Sequence, residues 1–318
     1  MIRITPKISV ALAAQKAHEQ NRIYFKGNSA TDTFEKSGDA ILAELAMKDA
    51  EFALKSKDYG RAITKGSEAI NKDPKSALAR TLRGRIYEEM GQPDSAITDY
   101  SEAIKLAPDE PKNYNLRAHA KTRLAIKTQD KTMAYKLLDE AKADYNKSLN
   151  LEKTGETYDL KGVVQMIAGD FKEAVSTFDL AIADFEERSK GDPNNGAIKH
   201  KLGDLHYKKG RSLSILAITH KGSRNYDEAA KQEFTKSIEL APDISTSYFE
   251  RAKINFKTNF QTARADIEKA LDLEPLNGNY RALRDEIKEA QAKFETVKQK
   301  TSMTDDILED LRRQGIIG

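Results

Sequence analysis

The chain has no cysteine and no tryptophan among its 318 residues. Without cysteine there is no disulfide, no thiolate nucleophile and no thiolate metal ligand. That absence fits a reducing compartment without requiring one. Long apolar runs are also missing: no stretch approaches the ~18–20 residues that a membrane-spanning helix needs. Charge of one sign is missing too, since 53 basic and 50 acidic residues leave a formal net charge of +3. Nothing global therefore marks a nucleic-acid binder, and any such signal has to be local. There is no glycine-rich phosphate loop, no GxSxG turn and no thiol nucleophile, so the chain is read as no enzyme and as carrying no cofactor. Five histidines are present: His18, His119, His200, His206 and His220. His200 and Asp204 lie four apart on one helix, but no third ligand is evident and no metal site is assigned.

What the sequence does have is repetition. KDYGRAITKGSEAINKDP (57–74), GQPDSAITDYSEAIKLAP (91–108) and GDFKEAVSTFDLAIADFE (169–186) superimpose without gaps. NYDEAAKQEFTKSIELAP (225–242) and TNFQTARADIEKALDLEP (258–275) match with small shifts, and LLDEAKADYNKSLNLEK (137–153) is a degenerate sixth copy. Each copy has a small residue, Ala62, Ala96, Ala141, Ala174, Ala230 or Ala263. Four residues on stands a bulky one in five of them: Tyr100, Tyr145, Phe178, Phe234 and Ile267, with Gly66 in the first. Three further on comes Ala69, Ala103, Ala181 or Ala270, or Ser148 or Ser237. Steps of four and three keep these positions on one helical face. Four copies stop at Pro74, Pro108, Pro242 and Pro275, where the ring forbids continuation. Upstream of each lies a second amphipathic helix with Gly84, Gly162 or Gly203, or Ala50, Ala118 or Ala252, where two backbones must approach closely.

These positions resemble the tetratricopeptide-repeat family: a small residue in the first helix, then alanine, an aromatic and alanine in the second, and a closing proline. Pro74 to Pro108 is 34 residues and Pro242 to Pro275 is 33. The resemblance implies an all-α fold, an α-solenoid of about six helix-turn-helix repeats with terminal capping helices. The repeats fall near 43–76, 77–110, 111–154, 155–195, 196–243 and 244–276, within a solenoid spanning 39–275. Residues 277–300 are expected as a C-terminal cap, with Tyr280, Leu283, Ile287, Ala290, Phe294 and Val297 on its apolar face. A break at TSMT leads to 301–318, a tail with a short helix N-capped by Thr304 or Asp305. Residues 1–38 form an extension read as a capping segment or a targeting segment. FKGNSATDTFEKSGD (25–39) reads as a tether. The expected compartment is cytoplasmic, or the mitochondrial matrix or an exported location if residues 1–20 are a targeting segment.

Repeats 3 and 5 are too long by about eleven and thirteen residues, and repeat 4 is stretched through FEERSKGDPNNG. The extra segments carry apolar residues at helical spacing, such as Leu213, Leu216 and Ala217, so they read as lengthened helices joined by a loop. Repeats 3 and 5 are also basic, with Lys112, Arg117, Lys121 and Lys127 in one and Lys199, Lys208, Lys209 and Arg211 in the other. Either this is a patch for an acidic partner, or these cations pair with acids of neighbouring repeats.

In the family, groove-facing positions lie on the first helix of each repeat. Carried over, they include Arg85, Asn115, His119, Arg123, Met166, His200, Tyr207, Phe249, Lys253 and Phe256, with Met47, Glu51, Thr81, Asp159 and Val163. That mixture of aromatics, methionine and cations suits an extended or helical peptide. Chaperone-binding members use a clamp of Lys and Asn, then Asn, then Lys and Arg. Here Met47, Glu51 and Leu82 hold the first three of those places, so the clamp is absent. The first functional reading is a protein–protein interaction scaffold. The alternatives are RNA or another polyanion, with Tyr114, Tyr135, Tyr207 or Tyr226 as stacking groups, and a homo-oligomer joined through residues 280–297.

Overall fold

A computed structural model of the chain describes residues 38–219 and 224–313. The expectations for residues 1–37, for His18, for His220 and for the end of the chain after Arg313 lie outside the described residues. Among the described residues there are thirteen helices and no strand. They fall into two compact units divided between Lys127 and Thr128. In the first are α1 (Gly38–Lys55), α2 (Tyr59–Lys72), α3 (Ala77–Glu89), α4 (Pro93–Leu106) and α5 (Pro111–Lys127). In the second are α6 (Lys131–Leu151), α7 (Gly155–Ala168), α8 (Phe171–Gly191), α9 (Gly196–Thr219), α10 (Arg224–Leu240), α11 (Ser245–Phe256), α12 (Phe260–Leu273) and α13 (Gly278–Arg313). Both units are α-solenoid: consecutive helices pack in antiparallel pairs, and each pair packs on the next.

The local chemistry that starts and stops these helices is readable. Ser76 Oγ accepts the Ala79 amide at 3.1 Å, and Asp130 Oδ1 accepts from Thr132 and Met133 at 2.9 and 3.1 Å. Thr154 and Asn259 cap α7 and α12 in the same way. α2, α4, α10 and α12 each end two residues before a closing proline, at Lys72, Leu106, Leu240 and Leu273. The ring disfavours helical backbone in the residue before it. Gly169 ends α7 with φ +89°, the left-handed conformation that glycine adopts without strain.

The repeated small and bulky positions form the core. Ala96, Ala174, Ala230 and Ala263 are fully buried, as are Tyr100, Phe178, Phe234 and Ile267. A Cβ at Gly84 would stand 2.6 Å from the Tyr100 ring, and one at Gly162 would stand 2.5 Å from the Phe178 ring. Only a glycine lets those backbones meet the aromatic at that depth. The long repeat differs from the expectation. Gly203 is tight, but against Ala241 Cβ at 2.6 Å, whereas the place opposite Phe234 belongs to Gly210 at 2.8 Å. The extra residues of α9 shift the contact two turns along the helix.

Among the described residues most of the added length is helical. α8 runs through FEERSKG, and α9 extends to Thr219, with Leu213 packed on Ala230 and Phe234. The expected break at TSMT is absent, because α13 continues through it without interruption. Serine and threonine cost only a few tenths of a kcal/mol in a helix interior, too little to end one without glycine or proline. Thr301 Oγ1 instead bonds back to the Val297 carbonyl at 3.0 Å.

Candidate binding face

In each unit the first helices of successive pairs touch one another, α1 with α3 and α3 with α5, and likewise α7 with α9 and α11 with α13. Their shared side is the inner face, and polar contacts stitch it together. In the first unit Thr81 donates to Asn113 at 2.7 Å. Buried Glu88 accepts the Tyr100 hydroxyl at 2.7 Å and contacts His119 Nδ1 at 2.8 Å. Burial, followed by the Glu88 carboxylate, drives the Tyr100 phenol far above its ordinary pKa. Arg123 donates to the Glu88 carbonyl at 3.1 Å, and Lys127 donates to the Gly91 carbonyl at 2.7 Å. Arg85 is exposed on the same helix. Asn115 is half-buried. Thr81 is buried, so it serves packing and not contact with a ligand.

The inner face of the second unit is denser in charge. Asp159 on α7 is buried and holds two lysines of α9, Lys201 at 2.5 Å and Lys208 at 2.8 Å. Lys208 also reaches Asp204 at 2.7 Å. Burial opposes its charge, but the two carboxylates outweigh that and raise its pKa. Arg211 meets the Tyr207 hydroxyl at 3.2 Å and Glu250 on α11 at 3.6 Å, and Lys253 bonds Glu250 at 2.8 Å. Tyr207 leans on Phe234, with centroids 6.2 Å apart. Phe249 stacks on Tyr280 at 4.8 Å, and Lys253 Nζ lies 5.4 Å from the Phe249 centroid. Met166, Val163, Phe249 and Phe256 are half-buried, supporting the core with one side and open on the other.

Half of the expected basic patch is resolved into ion pairs and packing. Lys208 and Arg211 are paired as above, and Lys209 joins Asp179 at 2.7 Å and Glu233 at 3.0 Å. Lys121 is a correction: it is buried, because it shares a packed face of α5 with Tyr114, Ala118, Thr122 and Ala125. Lys112 and Lys127 are exposed, whereas Arg117 and Lys199 are half-exposed. Arg117 Nη1 donates to Ser101 at 3.2 Å. Of the tyrosines considered for stacking, Tyr114 is buried with its hydroxyl on the Pro108 carbonyl, while Tyr135 is exposed. The acids that organise these faces, Glu88 and Glu250, were not singled out from sequence. Their signal is a carboxylate at a packed position of a first helix, which charge counting overlooks.

His200 is exposed and contacts Asp243 at 3.4 Å, while Asp204 is taken by lysines. Among the described residues no group of three or more His, Asp or Glu could hold a metal ion. No helix of the described residues is long and apolar enough to cross a membrane.

The tetratricopeptide-repeat profile matches residues 77–110, the α3–α4 pair. The chain is 24% identical over 237 residues to Hsp70-Hsp90 organizing protein 3 of Arabidopsis thaliana, covering 72% of this chain and 42% of that protein. It thus spans less than half the length of that relative. Among solved structures, the APC/C hetero-tetramer Cut9–Hcn1 superimposes with a TM-score of 0.54 at 15% identity, covering 87% of this chain and 47% of that one. The type IV pilus biogenesis factor PilW superimposes at 0.52 with 18% identity, covering 76% and 97%. At these identities the likeness is one of fold alone.

Proposed function

The chain belongs to the tetratricopeptide-repeat family, and from that premise we propose that it is a non-enzymatic scaffold holding a segment of a partner protein. The observation that carries this reading is the strip Tyr207, Phe249, Lys253 and Phe256 on α9 and α11. The three aromatics are anchored on one side by the core and open on the other, and Lys253 is exposed beside Phe249. Rigid, half-open aromatics beside a cation give affinity at little ordering cost. The partner segment is one with apolar anchors, and an acidic residue serves orientation near Lys253.

The internal pairing of Lys208, Lys209 and Arg211 weighs against RNA as the main ligand, because those cations are already compensated. Chaperone tails are not the expected cargo, although a relative is named an Hsp70–Hsp90 organizing protein. Met47, Glu51 and Leu82 stand where a carboxylate clamp needs lysine and asparagines.

The test is capture from source lysate by the full chain, with and without nuclease, at low and moderate salt. We expect a protein that survives both treatments and is lost with Phe249→Ala/Lys253→Ala while helicity is unchanged. Loss of all captured material on nuclease treatment overturns the reading in favour of RNA, whose binding falls steeply with salt.

A further inference from the structure

The last helix is longer than the end of a repeat array needs. α13 has 36 residues, about 54 Å at 1.5 Å per residue. Its first three turns do the capping, with Tyr280, Leu283 and Ile287 buried in the α11–α12 cluster. This removes the first half of an oligomer seam through 280–297, since those side chains are already covered by their own chain. Beyond them Phe294 still touches Phe260, with centroids 5.8 Å apart, yet is 54% exposed. The next apolar position, Val297, is 63% exposed.

The apolar spacing does not stop where the cap stops. The alternating steps of three and four continue without a slip through Phe294, Val297, Thr301, Thr304, Leu308 and Leu311. A strict 3.5-residue period drifts around a straight helix, and stays on one seam only when a second helix winds with it. Charge is segregated along the same stretch. Residues 291–300 hold three lysines against Glu295, a net +2, and residues 304–313 hold four acids against two arginines, a net −2.

We propose that α13 pairs with α13 of a second copy as a short antiparallel coiled coil centred between residues 302 and 303. In this register position 294 shares a layer with position 311 of the second copy, 297 with 308, and 301 with 304. The basic stretch 291–300 of each helix thereby runs along the acidic stretch 304–313 of the other. Parallel pairing sets each charged block against its own copy instead. Four of the six layers carry large apolar residues, and the two central threonine layers fix the register at a cost in stability. The seam spans residues 294–311, about 27 Å, so the dimer dissociates on dilution. This pairing is independent of what the inner face binds.

The chain's lack of cysteine makes the orientation directly testable. Sedimentation of the full chain across a hundredfold concentration range is expected to pass from its 35.6 kDa mass to twice that value. Val297→Glu is expected to weaken the association at least tenfold while the melting of the repeats stays unchanged. Mixed Thr301→Cys and Thr304→Cys chains are expected to form a mixed disulfide on mild oxidation, in preference to either homodisulfide. A monomer at every concentration overturns the proposal, as does a dimer indifferent to Val297→Glu. Preferred Thr301→Cys homodisulfide overturns the antiparallel register and points to a parallel pair.

Discussion

The pairs α3–α4 and α9–α10 are built on the same device at two lengths. In α3–α4, Arg83 forks onto Asp99 at 2.8 Å through two nitrogens, and the next residues in each helix, Gly84 and Tyr100, meet face to face. In α9–α10, Lys209 bonds Glu233 at 3.0 Å and the next residues, Gly210 and Phe234, meet likewise. The cation also reaches the preceding second helix in both, as Arg83 to Ser67 at 3.2 Å and Lys209 to Asp179 at 2.7 Å. The partners are 16 residues apart in the short pair and 24 in the long one. Lengthening both helices about a fixed crossing leaves the contact intact, because the crossing is defined by four residues and not by loop length. α7–α8 shows what happens when one member is missing. Gly162 meets Phe178, but Thr177 stands where the acid belongs, and burial lowers the pKa of Lys161.

The largest expected effect tests whether the two aromatics are equivalent. Tyr100→Ala and Phe234→Ala each empty a fully buried site and should cost about 3–5 kcal/mol in urea unfolding. A small effect at Phe234 alone would mean that the long pair has a second core holding it together. Next comes the acid of the long pair. Burial would raise the Glu233 pKa, but hydrogen bonds from His206 at 2.6 Å and from Lys209 hold it at about 2. A depressed carboxylate stabilises the fold above its unfolded pKa, and that contribution fades as pH falls from about 4.5 towards 2. Glu233→Gln should therefore flatten the loss of stability between pH 5 and 2 by about 3 kcal/mol, measured by unfolding at each pH. Parallel profiles for the two proteins would remove the carboxylate from the acid response.

Smaller effects are expected at the glycines. Gly84→Ala and Gly210→Ala each force a methyl into an aromatic ring and should destabilise by about 1–3 kcal/mol. Equal losses would confirm that Gly210, and not Gly203, is the register partner of Gly84. The smallest effect completes the incomplete device: Thr177→Asp should raise the Lys161 pKa, read by NMR titration, and stabilise by at most about 1 kcal/mol. An unshifted lysine would show that the Lys161 amine does not reach this position.

Most of the architecture was legible in the chain. Recurring Ala–aromatic–Ala steps and closing prolines act within a few residues, where spacing and geometry coincide. The same local logic located the added helical length in α8 and α9. It misplaced the break at TSMT, because polar composition weakens a helix without ending one.

The candidate face was legible only in part. Which residues lie on the first helices follows from helical periodicity; Phe249 and Phe256 are half-buried there and Lys253 is exposed. What the cations do with their charge does not follow from it. Lys208 finds Asp159 across 49 residues, and Arg211 finds Glu250 across the gap between two helix pairs.

By itself, then, the sequence determined the helices, their repeat phase and the small residues at their crossings, since those are set by interactions spanning a turn or two. The tertiary structure alone decided that Gly210 faces Phe234, that Lys121 is buried and that three of the expected patch cations are paired. Those outcomes depend on how far each helix slides along its neighbour, and a slide of two turns leaves the periodicity of either helix unchanged.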